Sequence, residues 1–315
     1  GCLHMLYTVT VNPALDKTVE IPNFSVGEVN RIQTMRADVG GKGINVSKCI
    51  AVLGGDTTAL ALLGGSVGKG MLAFLQQQPH IEPLSIETAG QTRTNLKIID
   101  SVRGVNTDIN EPGPAVSGRE FADLQNLLLE RLQPGDIVVL AGSLPTEAPV
   151  SLYRDWAVRC KQEGAQVFLD ADGEPLKLGV EAKPDLIKPN KEELEALVGT
   201  HLLGEKDILR AARMLMKHGV GRVVVSLGSD GALFCSSEST LRASALQVPV
   251  KSTVGAGDSM VAALAYGSMQ RMSWEEQAKL SVAFSAASVM CDGTQAPELK
   301  TVKKLYKKVV ITEVA

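Results

Sequence analysis

The run Asp136-Ile137-Val138-Val139-Leu140-Ala141, then Val150 to Glu163, then Gln166-Val167-Phe168-Leu169-Asp170, decides the fold. The two outer runs are short, apolar and rich in β-branched or aromatic residues, the pattern of strands buried on both faces. The segment between them carries apolar residues at helical spacing. Strand, helix and strand in that order form a βαβ unit, which predicts a parallel sheet with helices over its faces. Outward from it the rhythm repeats. Leu6 to Val11 and Thr57 to Leu63 read as strands, while Ile44 to Leu53, Lys69 to Gln78 and Phe121 to Leu132 read as helices. Beyond Asp170 come a strand at Asp185 to Lys188, helices at Lys191 to Val198 and Asp207 to His218, and a strand at Arg222 to Ser226. The C-terminal third, Ala256 through Lys308, is mostly helical.

Two stretches break the rhythm. Lys17 to Val39 and Gln91 to Ile109 alternate apolar and polar residues, and the second holds a hairpin signal at Asp100-Ser101-Val102-Arg103-Gly104. Both predict antiparallel strands in a small sheet outside the main one, whose apolar face needs a ligand cleft or a second subunit to cover it. The expected organisation is one α/β domain over 5–315, with lid strands inserted at about 17–39 and 91–110. Gly1 to His4, ahead of Met5, read as an expression remnant.

Composition narrows the function classes. The 315 residues carry a formal net charge of −3, 44% are apolar and 21% charged, the balance of a soluble globular enzyme. Nucleic acid and membrane surfaces are not expected partners, because no basic face is available to release counterions or meet anionic lipid, and aromatics make up only 4%. Five dispersed cysteines without a C-x-x-C pair suggest neither a disulfide framework nor a zinc site, and point to a reducing cytoplasm. The unusual entry is 30 glycines, and they cluster.

Gly40-Gly41-Lys42-Gly43-Ile44-Asn45 lies directly ahead of a helix, where small residues let the backbone approach a ligand and helix-start N–H groups favour anions. It is not a phosphate-binding Walker loop, since Arg36 stands where that loop needs Gly and no Ser or Thr follows Lys42. Within Gly64-Gly65-Ser66-Val67-Gly68-Lys69-Gly70-Met71-Leu72-Ala73, Gly68-x-Gly70-x-x-Ala73 loosely fits a dinucleotide fingerprint with Glu87 downstream, so a Rossmann oxidoreductase using NAD is the competing class; a structural turn and helix start is the plainer reading of the run. A non-catalytic sugar-phosphate-binding regulator is a third reading. Ser252-Thr253-Val254-Gly255-Ala256-Gly257-Asp258 is sharper. Consecutive small residues at a helix start offer N–H groups to an oxyanion, and a carboxylate inside such a nest suits a base that takes a proton from an attacking hydroxyl. Asn190 and Glu193 read either as a capping box or as Mg²⁺ ligands acting through water, and Ser226-Leu227-Gly228-Ser229-Asp230-Gly231 as a strand-end turn suited to nucleotide phosphates.

Taken together these motifs resemble the ribokinase-like, phosphofructokinase B type carbohydrate kinases. The resemblance spans about Leu6 to Lys308, and Thr10-Val11-Asn12-Pro13-Ala14-Leu15-Asp16, Gly27-Glu28-Val29-Asn30-Arg31 and Thr107 to Gly113 are most similar to its bacterial 1-phosphofructokinase branch, with tagatose-6-phosphate kinases as close neighbours. It implies a three-layer αβα sandwich with a mostly parallel sheet and a β-sheet lid. It implies a kinase that uses ATP and Mg²⁺ on a phosphorylated ketohexose, phosphorylating fructose 1-phosphate to the 1,6-bisphosphate; tagatose 6-phosphate or fructose 6-phosphate are the alternative substrates. Asp258 would be the base, and N–H groups of Gly255, Ala256 and Gly257 the anion hole. Asp16, Gly40, Gly41, Lys42 and Asn45 would hold the sugar, with Lys42, Arg31 and Arg93 as candidates for its phosphate. Lys188, Asn190, Ser226, Gly228, Gly231, Thr253, Gly255 and Gly257 would contact ATP, with Asn190 and Glu193 on Mg²⁺. The segment Val248 to Ser252 is too generic to carry nucleotide contacts over. A homodimer through the lid strands is implied as well.

Overall fold

The computed structural model describes residues 3–314, so Gly1, Cys2 and Ala315 of the segments read above lie outside the described residues. The chain runs β1 (Leu6–Thr10), β2 (Ala14–Glu20), β3 (Thr34–Gly40), α1 (Lys42–Val52), β4 (Thr57–Gly64), α2 (Gly65–Gln76), β5 (Ile81–Thr88), β6 (Arg93–Asp100) and β7 (Val105–Asn110). It continues with α3 (Gly118–Arg131), β8 (Ile137–Ala141), α4 (Leu152–Gln162), β9 (Gln166–Asp170), α5 (Gly173–Gly179), β10 (Leu186–Ile187), α6 (Lys191–Val198), α7 (Glu205–Lys217) and β11 (Arg222–Ser226). Last come β12 (Ala232–Cys235), β13 (Thr240–Ala243), α8 (Ala256–Met269), α9 (Trp274–Val289), α10 (Leu299–Tyr306) and β14 (Ile311–Val314).

Ten strands form the main sheet in the order β14-β13-β12-β11-β10-β9-β8-β1-β4-β5. From β11 to β5 every neighbouring pair is parallel, while β12, β13 and β14 extend it antiparallel. Two cores explain why the strand sequences are apolar throughout. Val138 and Leu140 of β8 face one core, together with Leu124 of α3, Tyr153 of α4 and Leu209 of α7. Ile137 and Val139 face the other, with Ile50 of α1, Leu264 of α8 and Phe284 of α9. Period-two alternation thus sends both sets inward, each against its own helix layer. Among the described residues no helix is long and apolar enough to cross a membrane.

The second sheet has the order β3-β2-β6-β7. The hairpin at Asp100 to Gly104 turns as expected, but the lid is not wholly antiparallel: β2 and β6 pair in parallel, because α1, β4, α2 and β5 of the main body intervene between β3 and β6. The lid also starts earlier than predicted, at Ala14, which puts Asp16 on a lid strand. Two further differences follow from position in the sheet. Ile81–Thr88 is a strand despite Pro83, which an edge strand tolerates since it needs no donor on its outer side. α2 begins at Gly65, a turn before the predicted start, straight out of β4.

Candidate active site

Parallel strands of an α/β sheet bring their C-terminal ends to one edge. Here Thr10 closes β1, Ala141 closes β8, Asp170 closes β9, Lys188 follows β10 and Ser226 closes β11, and all five line one cavity of about 500 Å³. The N-termini of α1 and α8 supply Gly41, Lys42, Asn45, Gly255, Gly257 and Asp258. Lid residues Ala14, Asp16, Arg93 and Asn95 form the remaining side.

At the centre is Asp258, 5% exposed in the first turn of α8. Gly255 precedes that helix with φ +87°, a left-handed conformation that glycine adopts without strain. Asn45 Nδ2 donates to Asp258 Oδ2 at 3.1 Å, and Lys42 Nζ lies 3.8 Å from Asp258 Oδ1 and 3.6 Å from Asp170 Oδ2. Burial pushes the Asp258 carboxyl above the ordinary carboxylate range, with Lys42 as the chief opposing charge. Asp170, ahead of Asp258, holds the Lys42 ammonium protonated. A buried base with a raised pKa beside a fixed cation is an arrangement for moving a proton while negative charge arrives.

Toward the lid, Asp16 is pushed up to about 6, chiefly by burial, against Lys48, Arg93 and a hydrogen bond from Asn95. Arg93 Nη2 donates to Asn12 O at 3.0 Å, and Asn12 Nδ2 to Ser143 Oγ at 3.1 Å. Seven buried side-chain atoms lack a hydrogen-bond partner among the described residues: Thr10 Oγ1, Asn45 Oδ1, Arg93 Nε, Asn95 Oδ1, Asp170 Oδ2, Asp258 Oδ1 and Thr294 Oγ1. All seven belong to residues lining this cavity. Unpaired buried polar atoms are costly in a fold, so their concentration in one place marks this cavity as a candidate site for a polar ligand.

At the far end, Asn190 and Glu193 make a reciprocal capping box at the start of α6, Asn190 Oδ1 accepting from Glu193 N at 2.7 Å and Glu193 Oε1 from Asn190 N at 3.0 Å. Both still line the cavity, so the two readings of this motif are compatible. Only Oε1 of Glu193 is engaged in the cap, and Asp170 and Asp172 lie on the same side. Among the described residues no group of three or more His, Cys, Asp or Glu converges to hold a metal alone. This donor set fits Mg²⁺ that keeps most of its waters and is shared with substrate phosphates. Lys188 Nζ rests against Gly257, 3.1 Å from where a β-carbon would stand.

Of the residues singled out in the sequence, Asp16, Gly41, Lys42, Asn45, Arg93, Lys188, Asn190, Glu193, Ser226, Thr253, Gly255, Gly257 and Asp258 meet here. Five do not line the cavity. Arg31 lies on the exposed loop between β2 and β3, beyond the end of β2 that is about 20 Å along the strand from Ala14. Gly40 sits behind Asp16, whose carboxylate fills the space a side chain would take. The Ala256 N–H turns back to Thr253 O at 3.4 Å, whereas Gly255 and Gly257 on either side of it line the cavity. Gly228 and Gly231 form the turn behind Ser226, where Leu227 N donates to Gly231 O at 2.8 Å. At the start of the Gly64 to Ala73 run, Gly64 and Gly65 pack on Gly90 and Gln91, and Gly64 N donates to Thr92 Oγ1 at 2.9 Å; no residue of the run lines the cavity. Sequence reading missed Thr10, Asn12, Asn95, Ser143, Asp170, Asp172 and Thr294. A polar residue closing a buried parallel strand, as Thr10 does, was a usable signal; Asp170, Asn95 and Thr294 carried none that separates them from ordinary turn and strand residues.

The fold and this cleft define an α/β protein whose strand ends and two helix starts bring a buried carboxylate, a lysine and several polar side chains around one cavity. The model of the pfkB family carbohydrate kinases matches residues 10–301. The chain belongs to that family. It is 36% identical to the 1-phosphofructokinase of Bacillus subtilis over 309 residues, covering 98% of this chain and 99% of the relative. With the 1-phosphofructokinase of Escherichia coli it shares 36% identity over 282 residues, 90% of each chain. Among solved structures, phosphofructokinase-2 from Escherichia coli in complex with fructose-6-phosphate superposes with a TM-score of 0.91 at 31% identity, covering 98% of this chain and 99% of that one. The ribokinase-like architecture is therefore shared along essentially the whole chain.

Proposed function

We propose that this protein transfers the terminal phosphoryl group of ATP to fructose 1-phosphate, giving fructose 1,6-bisphosphate and ADP. The observation that carries the chemistry is Asp258, buried at the mouth of α8 between Asn45, Lys42 and the helix-start N–H groups. The choice of sugar follows the curated relatives, which carry the name 1-phosphofructokinase over nearly their full length. In this reading Asp258 accepts the proton of the attacking hydroxyl as its oxygen bonds to phosphorus, and the bond to the bridging oxygen of ADP breaks. N–H groups of Gly255 and Gly257, with Lys42, meet the charge spread over the transferring oxygens. Asp16, Gly41 and Asn45 hold the sugar hydroxyls, and Arg93 its phosphate as a charge-assisted donor. Lys188, Asn190, Ser226 and Thr253 face the nucleotide, and Glu193 would hold hydrated Mg²⁺, which supplies neutralisation of phosphate charge when bound. A cytoplasmic dimer, joined at the lids, completes the reading.

The test is a coupled ATPase assay with fructose 1-phosphate, fructose 6-phosphate and tagatose 6-phosphate. The largest kcat/KM is expected for fructose 1-phosphate, and a larger value for either competitor overturns the sugar assignment. In the same assay Asp258→Asn should lose about 10²–10⁴-fold in kcat while retaining ATP binding. Near-normal turnover of that variant would remove Asp258 from the mechanism.

A further inference from the structure

Lys48 stands just behind the lid side of the cavity without lining it. It lies on α1, the helix that delivers Lys42 and Asn45 to the site. Its Nζ donates to Val39 O at 2.8 Å. Val39 adjoins Gly40, the last residue of β3, which leads almost directly into α1 at Lys42. Next to the Leu15–Val39 pair, Asp16 and Asp38 lie directly opposite in the β2–β3 register. Two carboxylates so placed repel unless each has a counter-charge. Asp38 is answered by Arg36, which holds it through two hydrogen bonds of 2.8 and 2.9 Å. Among the described residues Asp16 has no such ion pair; the groups that face it are Lys48 from α1, Arg93 and the amide of Asn95 from β6, and Asp38 from β3. Lys48 in turn faces Asp16 and Asp38, the guanidinium of Arg36 and the thiol of Cys49.

We propose that Lys48 is a positioning residue for phosphosugar binding: through Val39 it pins the base of the lid to α1, and its ammonium keeps Asp16 an ionised acceptor for sugar hydroxyls. The proposal rests on the assignment of Asp16 to the sugar. An ionised carboxylate accepts a hydroxyl's hydrogen bond about twice as strongly as a neutral group. Burial already works against ionisation of Asp16, and Lys48 is the foremost opposing charge. Without it the balance at Asp16 tilts further toward the protonated form, and the carbonyl of Val39 loses its donor.

Steady-state kinetics of Lys48→Met, Lys48→Gln, Lys48→Arg and Asp16→Asn across the acid limb test this. Lys48→Met is expected to raise KM for fructose 1-phosphate about ten-fold near neutral pH, with KM for ATP changed less than about two-fold. The acid limb of kcat/KM for the sugar phosphate should move up by about one pH unit in both the Met and Gln variants. Gln keeps a donor for Val39, so the shift in that variant reports charge even if the Met variant folds poorly. Lys48→Arg should hold the limb near its original position. An unmoved limb in the Gln variant, an equal rise in both KM values, or an Arg variant no better than Gln overturns the proposal. Asp16→Asn separates the two layers: an unchanged sugar KM there sinks the role of Asp16 itself. Weakened sugar binding in Asp16→Asn with normal Lys48 variants sinks only the role of Lys48.

Discussion

Asp16 is held at a cost. In an ordinary setting its carboxyl titrates near 3.8; in the fold, burial moves it to about 6. As pH rises between those values the unfolded chain releases the proton first, so the folded state binds more protons and stability falls across that window. Above it the penalty is constant, of the order of 1–2 kcal/mol after allowing for solvent screening at a partly exposed group. Asp16→Asn should therefore melt a few degrees higher than the parent near neutral pH, with the gap closing below about pH 4. A gap that persists in acid would assign the gain to packing instead. The same variant should bind sugar poorly, the usual exchange of stability for function at a site. At this scale the sequence was readable where a residue type has few reasons to occur in its context. Asp258 after Gly255-Ala256-Gly257 was such a case. Asp170 was not, because an aspartate ending a strand also serves as a plain turn residue.

Strand-end turns aim the site. The turn behind Ser226 carries two left-handed glycines, Gly228 at φ +58° and Gly231 at φ +88°. It reverses the chain from parallel β11 into antiparallel β12, and a β-carbon on Gly231 would strike the Ala243 carbonyl of β13. Gly231→Ala should cost about 2–4 kcal/mol by combining backbone strain with that clash. Its melting temperature should fall accordingly, and KM for ATP should rise because Ser226 shifts with the turn. A variant as stable as the parent would show that the turn has room to relax. Glycine was thus legible as necessary here from the strand-end turn; the further reason at Gly231, the space taken by a neighbouring strand, lies in the tertiary structure. For α6 both sequence readings of Asn190 and Glu193 survive, since cap and cavity use different faces of the same residues.

For the whole molecule, the lid is the part least complete in a single copy. Its own core is small, Val19, Ile21 and Ile98, while Val29 is 81% and Met35 62% exposed on the same sheet and its loop. An apolar surface of this kind beside an edge strand is covered in a stable assembly. Sedimentation of the parent is expected at twice the 33.4 kDa chain mass, and Met35→Asp should shift it toward the monomer. A parent that sediments as a monomer at micromolar concentration would remove the dimer from the proposed function. The sequence by itself determined the βαβ order, the parallel core and the helix-start glycines, because these follow from local periodicity and backbone sterics within a few residues. The tertiary structure alone decided that Asn45 and Asp258 share a hydrogen bond, that Lys42 stands between Asp170 and Asp258, and that β2 and β6 pair in parallel. Those contacts join segments far apart in the chain. They depend on sheet order and strand register, which hydrophobic pattern leaves open and only packing of the complete fold resolves.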